Sequence, residues 1–376
     1  MFLVGVIIGF VGLLLLAAVL SPLWTRALDH ASSNSRDKLP YEYELPRYFV
    51  RSKKGGVNTS ARWPGWDAWT VCALPDDPAL PSQMIRGTLM TGVYGLDGID
   101  NYERITYRLD SREAVENLCL VPTNYALPDG GTLTLDQLSQ QYLPRRSALA
   151  MSDAELDVRI AGARICGTWP SYRIELANPE AEMQAHLEFT GRRILWWADI
   201  PRYYTHFATF GDFQVTLADA GGADAGKPFR ARGTVEHVFA RRLPIPVRIP
   251  VLYHYEVLFG AALEGGFVHA RAFGVDYRNG GGLYVNDGYQ SIRRVRVHYL
   301  EFDRVDSCDG RGDPTRVPSR WEVDASTDAG PLRYTASRTH PPAMTGPNSS
   351  QYHFAFEGTW NGSAINGRGY GEYVRI

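Results

Sequence analysis

The segment Arg232–Arg242, RGTVEHVFARR, places Glu236 directly before His237 among apolar residues. Alternate side chains of a β-strand point to opposite faces, so His237 shares a face with Val235 and Phe239, whereas Glu236 does not. Burial among apolar groups disfavours a charged imidazole. We therefore predict that His237 faces the interior and that Glu236 has a partner elsewhere. The alternative is a core histidine bonded to a neighbouring backbone group or tyrosine.

A second group surrounds the segment ILWWADIPRYYTHF, where one acid, Asp199, lies among aromatic residues. An acid can protonate an alkene, and aromatic ring faces stabilise the cation that forms. This combination predicts proton-initiated chemistry on an isoprenoid, with Asp199 as a proton donor and Trp196, Trp197 and Tyr203 as substrate-binding rings. The alternative is a domain core in which Asp199 caps a turn.

The segment YHYEVLFG adds a histidine and an acid two residues apart, His254 and Glu256, which share a strand face. With the adjacent Tyr253, and with Asp276 further along the chain, they are predicted to bind substrate. Strand spacing of this kind is too permissive to indicate a metal site, and no metal or cofactor is predicted.

Several classes of protein are excluded by composition and motifs. The formal net charge of −2 provides no general attraction for nucleic acid. The sequence contains neither the G-x-S-x-G motif of serine hydrolases nor a G-x-G-x-x-G motif that opens a helix after a strand. The 4 cysteines are widely separated and form no C-x-x-C pair, and their spacing leaves the disulfide state open.

Residues 1–24 carry no charge and exceed the roughly 20 residues that span a bilayer. Basic residues follow this stretch rather than precede it, which favours an uncleaved anchor with the rest of the chain on the cytoplasmic side. A non-standard export signal is the alternative. The polar segment 25–40 is predicted to be a linker.

Short alternating segments separated by Gly-rich and Pro-rich turns predict an all-β protein. Two short helices are predicted within an insertion at 134–162, the second from the capping box formed by Ser152 and Glu155. Prolines at 244, 246 and 250 disfavour a central strand. We therefore predict one domain over 41–243 and another over 244–376.

From about Gly167 to Ile376, the order of segments resembles the lipocalin-like superfamily of hydroxyneurosporene synthase (carotenoid 1,2-hydratase) and its AttH-type relatives. The likeness is greatest at GTVEHVF and at GRGYGEYV, which is similar to the family's terminal G-x-G-Y-x-E strand. Val235 departs from the family, which tends to have tryptophan there. The resemblance implies two tandem lipocalin-like β-barrels, and it implies that Glu236 and His237 lie in a pocket.

These features predict a membrane-anchored protein that binds an apolar isoprenoid or lipid. It would catalyse a cofactor-free, acid-catalysed hydration or cyclisation, with Glu236 or Asp199 as proton donor and His237 orienting the acid or a water. The alternative is a non-catalytic lipid carrier, for which a barrel alone suffices.

Overall fold

A computed structural model of the chain describes residues 44, 50–51, 57–58, 65–77, 85–91, 119–124, 141–142, 149–151, 155–160, 163–178, 183–200, 204–219, 228–241, 251–272, 275–305, 314–346 and 349–375. The predicted anchor at 1–24, the linker at 25–40 and Tyr203 lie outside these residues. Within the described ranges, no helix is long and apolar enough to cross a membrane. The anchor and its orientation remain predictions.

Every helix-or-strand element among the described residues is a β-strand, as the all-β prediction requires. The first 13 strands are β1 Val50–Arg51, β2 Val57–Asn58, β3 Gly65–Pro75, β4 Ile85–Thr91, β5 Cys119–Asn124, β6 Gln141–Tyr142, β7 Leu149–Met151, β8 Leu156–Ile160, β9 Ala163–Thr168, β10 Ser171–Asn178, β11 Met183–Ile200, β12 Tyr204–Asp219 and β13 Phe229–Arg241. The others are β14 Val251–Gly260, β15 Leu263–Ala272, β16 Val275–Val285, β17 Gly288–Val305, β18 Thr315–Thr327, β19 Gly330–Arg338, β20 Ala343–Gly346, β21 Ser349–Trp360 and β22 Ser363–Arg375.

The chain divides into two compact units between Val247 and Arg248, within the proline-rich segment. The N-terminal unit covers residues 35–247 together with β20, and the C-terminal unit includes residues 248–342 and 347–376.

The N-terminal unit contains an 11-stranded antiparallel sheet with the order β6-β5-β4-β3-β13-β12-β11-β10-β9-β8-β7. Strands such as β10 alternate between a buried and an exposed face, whereas the middle parts of β3, β12 and β13 are buried on both faces. In β10, for example, Tyr172 and Ile174 are buried and Arg173 is exposed. The buried face forms one hydrophobic core, because period-two side chains of neighbouring strands meet on the same side. Among the described residues no pairing closes this sheet, so it is a half-barrel.

The C-terminal unit is a closed barrel of eight antiparallel strands, β14–β19, β21 and β22. The ring is completed because β19 pairs with β21 and β22 pairs with β14. Along β18, buried Trp321 and Val323 alternate with exposed Glu322 and Asp324. The two predicted barrels are therefore a closed C-terminal barrel and an N-terminal half-barrel.

The terminal strand β22 explains why GRGYGEY is rich in glycine. Gly367, Gly369 and Gly371 pair with Phe356, Phe354 and Tyr352 of β21. A Cβ atom on Gly369 would lie 2.5 Å from the Phe354 ring, so each glycine leaves room for an aromatic ring in the barrel.

The predicted helical insertion at 134–162 is wrong where the structure describes it. Residues 141–142 belong to strand β6, and Leu156–Ile160 forms strand β8, paired with β7 and β9. Leu156 and Val158 are buried, whereas Asp157 points away from the core and binds Arg164. This two-residue alternation and the sheet pairing outweigh the local capping signal.

Candidate functional site

His237 lies on the buried face of the N-terminal sheet, between aromatic residues of the two neighbouring strands. Its partners across β12 and β3 are Phe207 and Trp69. The His237 and Trp69 rings are stacked, with centroids 4.4 Å apart and an interplanar angle of 5°. Phe207 meets the imidazole edge-on at 5.6 Å. Val235, on the same face, belongs to the hydrophobic core. The interior placement agrees with the face predicted from the sequence, while a catalytic role for His237 remains a prediction.

Glu236 points to the opposite face of β13 and is held there by two side chains. Its Oε2 lies 3.3 Å from His206 Nε2, and its Oε1 accepts a hydrogen bond from Thr234 Oγ1 at 3.1 Å. All three residues are buried. The structure therefore does not bring Glu236 and His237 together, and Glu236 has its partners away from the His237 face.

Glu44 is a buried acid that the sequence analysis did not select. Its Oε1 accepts hydrogen bonds from the backbone N–H of Trp169 at 2.7 Å and from the Tyr172 hydroxyl at 2.5 Å. Burial raises the pKa of Glu44, and the bonds from Tyr172 and Trp169 and the nearby His237 only partly oppose that rise. Burial and the adjacent Glu44 hold the Tyr172 pKa well above its ordinary value, so this hydroxyl stays neutral.

Two buried polar atoms of this interior, Glu44 Oε2 and Trp69 Nε1, have no hydrogen-bond partner within the described residues. Tyr172, which binds Glu44, and Trp69 belong to the same core. We call Glu44, Trp69, Tyr172, Phe207 and His237 the interior acid site. It combines an acid, an imidazole and aromatic rings on a mainly apolar face, where the buried Thr209 hydroxyl donates to the Val235 carbonyl.

The C-terminal barrel encloses a second acid, Glu256, at the centre of a bonded network. Glu256 Oε1 lies 2.5 Å from His254 Nε2 and accepts from Trp321 Nε1 at 2.5 Å. Its Oε2 accepts from the Tyr334 hydroxyl, and Tyr299 Oη lies 3.2 Å from His254 Nδ1. Both His254 and Glu256 are fully buried. We call these five residues the Glu256 network; every Glu256 oxygen in it is bonded.

Tyr253 and Asp276 lie outside the Glu256 network. Tyr253 is half-buried and, as the neighbour of His254 in β14, points to the other face. Asp276 is partly exposed, lies 3.3 Å from His269 Nε2 and 3.0 Å from Arg271 Nε, and accepts from Asn279. Burial lowers the pKa of His269. The structure thus unites His254 with Glu256 but separates the other two predicted residues from them.

The aromatic segment of β11 is described through its backbone. Trp196, Trp197 and Asp199 pair with Ala208, Phe207 and Thr205, next to an irregularity in register after Ile194. Their side chains and Tyr203 lie outside the described part of the chain, so their roles remain predictions.

Within the described ranges, no group of three or more His, Cys, Asp or Glu residues could hold a metal ion. Cys72 and Cys166 are both buried.

No family model and no curated protein matches the sequence. Among solved structures, a protein from Nitrosomonas europaea described as AttH matches 92% of this chain and 98% of its own, at 10% identity and a TM-score of 0.54. CghA, solved with Sch210972, matches 83% of this chain and 89% of its own, at 10% identity and a TM-score of 0.46. The first match shows the fold alone, and that fold is lipocalin-like and AttH-type.

Proposed function

We propose that this protein binds an apolar small molecule of the isoprenoid or lipid class at the interior acid site and transforms it by cofactor-free acid catalysis. The observation that carries the proposal is Glu44, a buried acid held by one oxygen in an aromatic interior. A membrane anchor at 1–24 would suit a substrate dissolved in a bilayer.

The aromatic surroundings of the interior acid site support the binding of an apolar ligand. Trp69, Phe207 and Phe189 are fully buried, and Phe189 stacks near Tyr172 with centroids 5.8 Å apart. An apolar ligand gains about 25 cal/mol for each Å² of apolar surface that it removes from water. The faces of the aromatic rings also attract a cation, so they can stabilise a cationic intermediate in a site without water.

The two different environments of the Glu44 oxygens support acid catalysis. Oε1 is fixed by two donors, so the proton of the neutral acid resides on Oε2, which has no partner among the described residues. A raised pKa keeps that proton on the acid to higher pH than in an ordinary glutamate. When the proton leaves, the Trp169 N–H and the Tyr172 hydroxyl stabilise the carboxylate.

The reaction balances without a cofactor. The Oε2–H bond breaks and the proton passes to the substrate, leaving a cation on the substrate and a carboxylate on Glu44. Water then adds and returns one proton to Glu44, which is a hydration. If a second alkene of the substrate attacks the cation instead, loss of a proton to Glu44 completes a cyclisation. His237, on the same buried face, would orient the water.

The experiment uses the full-length protein. Small molecules that copurify are extracted into organic solvent, identified by mass spectrometry and returned to the ligand-free protein in D₂O. We expect the wild type to put deuterium into the ligand. We expect Glu44→Gln to bind the ligand but to label it at least about 100-fold more slowly, because the amide is not an acid.

Glu264→Gln is the matched control, since it replaces a buried acid of strand β15 in the C-terminal barrel and should keep the wild-type labelling rate. Equal labelling by Glu44→Gln would contradict the assignment of the acid. Binding without any deuterium transfer by the wild type would indicate the carrier function instead. Absence of any bound apolar molecule would overturn the proposal as a whole.

A further inference from the structure

We propose that the ligand of the interior acid site carries a neutral oxygen atom, as a carbonyl or hydroxyl group, that accepts hydrogen bonds from the Trp69 indole and the Glu44 carboxyl. This inference rests on the proposed function and deepens it, since it names the polar group that an otherwise apolar substrate must carry.

The first donor is the Trp69 indole N–H. The ring is completely buried on strand β3 and is held in place by its stack on His237. Its Nε1 has no acceptor within the described residues. Buried indole N–H groups nearly always have a hydrogen-bond partner, because desolvation without one is costly. A ligand that accepts a hydrogen bond from the Trp69 N–H would remove this cost.

The second donor is the carboxyl group of Glu44. Two donors already occupy Oε1, so the neutral acid carries its hydrogen on Oε2. That oxygen is buried and unpartnered within the described residues. Both orphan groups therefore donate. They belong to one interior, because Glu44 binds Tyr172, which lies in the same hydrophobic core as Trp69.

Two donors without an acceptor select the chemistry of the ligand. A pure hydrocarbon would leave both donors unsatisfied, and an ammonium group would bring more donors. A carboxylate could accept, but burying its charge in an aromatic interior is strongly unfavourable. A neutral carbonyl or hydroxyl oxygen has two lone pairs and can satisfy both groups. An ordered water could fill the same position in the ligand-free protein.

This placement also directs the proton. Glu44 then donates its proton to the ligand oxygen, and the cation of the proposed mechanism forms at the group that carries this oxygen. The Oε2–H bond breaks, a new O–H bond forms on the ligand, and the electron pair stays on the carboxylate. Positive charge develops on the ligand beside the Trp69 and Phe207 rings.

The test compares three C15 isoprenoids that differ in one functional group: farnesene, a hydrocarbon, farnesol, an alcohol, and farnesal, an aldehyde. Their affinities are measured by displacement of Nile red from the full-length protein. We expect the wild type to bind farnesal and farnesol about tenfold or more tightly than farnesene, as two buried hydrogen bonds predict.

Trp69→Phe and Glu44→Leu each remove one donor and keep an apolar side chain. We expect each to reduce the farnesal-to-farnesene preference several-fold, with little change for farnesene. Glu44→Gln keeps a donor and should retain most of the preference. Trp360→Phe removes an indole N–H that donates to Thr327 in the C-terminal barrel, and it should leave the preference unchanged. If Trp69→Phe fails to fold, the difference in the farnesal-to-farnesene preference between Glu44→Leu and Glu44→Gln still tests the inference.

Equal wild-type affinity for farnesal and farnesene would overturn this inference while leaving the binding function intact. An undiminished preference in Trp69→Phe and Glu44→Leu would also overturn it, since a water would then satisfy these donors. Failure of all three compounds to displace Nile red would instead count against the proposed function.

Discussion

Glu44 and Glu256 are both buried and both accept a hydrogen bond from a tyrosine hydroxyl, but they differ in the bonding of their second oxygen. Glu256 has donors on each oxygen, from His254, Trp321 and Tyr334. Glu44 has both of its donors on Oε1. A fully bonded acid in a closed network contributes rigidity and a unique packing, whereas an acid with one unpartnered oxygen is available to a ligand. We therefore assign chemistry to Glu44 and a structural role to Glu256.

Removing the Tyr334 hydroxyl tests the structural role of the Glu256 network. Tyr334→Phe leaves Glu256 Oε2 buried without this donor, and we expect it to lower the free energy of unfolding by about 1–3 kcal/mol. The measurement is chemical denaturation monitored by tryptophan fluorescence.

Tyr352→Phe is the matched control in the same barrel. The Tyr352 hydroxyl is buried and has no hydrogen-bond partner within the described ranges, so its removal should be neutral or slightly stabilising. If Tyr334→Phe costs no more than Tyr352→Phe, the Glu256 network does not stabilise the barrel.

The sequence could predict residues whose role depends on strand periodicity. Alternation placed His237 and Glu236 on opposite faces of β13, and it placed His254 and Glu256 on the same face of β14. Glu44 could not be found in this way. Its partners Trp169 and Tyr172 are 125 and 128 residues away in the chain, and no local pattern reports such a contact.

At the scale of elements, the pairing of β21 with β22 shows how one strand makes space for another. Three glycines of β22 face three aromatic residues of β21 in register. Trp321 contacts two of these rings, with centroids 5.3 Å from both Tyr352 and Phe354. The aromatic layer thus connects the terminal strands to the wall that holds the Glu256 network.

Gly369→Ala tests this arrangement. The new Cβ would lie 2.3 Å from the Val257 carbonyl oxygen and 2.5 Å from the Phe354 ring. Because a backbone atom cannot move aside cheaply, we expect the free energy of unfolding to fall by about 1–3 kcal/mol. Gly288→Ala is the control, since its Cβ would meet only the Val285 carbonyl oxygen, at 3.3 Å. Equal stability of the two variants would show that close packing does not require glycine at 369.

Strand pairing also explains why the helix prediction was wrong. Ser152 and Glu155 form a good capping signal, but Leu156, Val158 and Ile160 alternate with polar residues. A five-residue strand gains its stability from β7 and β9 on either side, which no local signal contains.

At the scale of the whole molecule, segment order and the resemblance predicted the lipocalin-like fold. Closure of the C-terminal barrel depends on the pairing of β19 with β21, two strands that are not consecutive in the chain. Periodicity identifies strands and their faces but not which edges meet. For the same reason, the sequence could not distinguish the closed barrel from the N-terminal half-barrel.

The last prediction concerns stability of the whole protein in acid. His353 is buried in the barrel, bonded through Nδ1 to Thr339 Oγ1 at 2.8 Å, and stacked on His340 with centroids 4.3 Å apart. Burial first, and then the charges of His340 and Arg368, lower the pKa of His353 to about 3. Burial also lowers the pKa values of His269 and His340.

Between its ordinary pKa of 6.5 and about 3, His353 takes up a proton in the unfolded chain but not in the folded one. The free energy of unfolding is therefore not reduced by His353 above pH 6.5. It falls as the pH falls from 6.5 towards about 3, by at most about 1.4 kcal/mol per pH unit for one group. We expect His353→Gln to flatten the pH dependence of unfolding over this range. His298→Gln, which replaces a ring that is 77% exposed, should retain the wild-type slope. The glutamine side chain does not take up a proton in this pH range. Identical slopes of the free energy of unfolding against pH for the wild type and His353→Gln would therefore mean that His353 does not set the stability in acid.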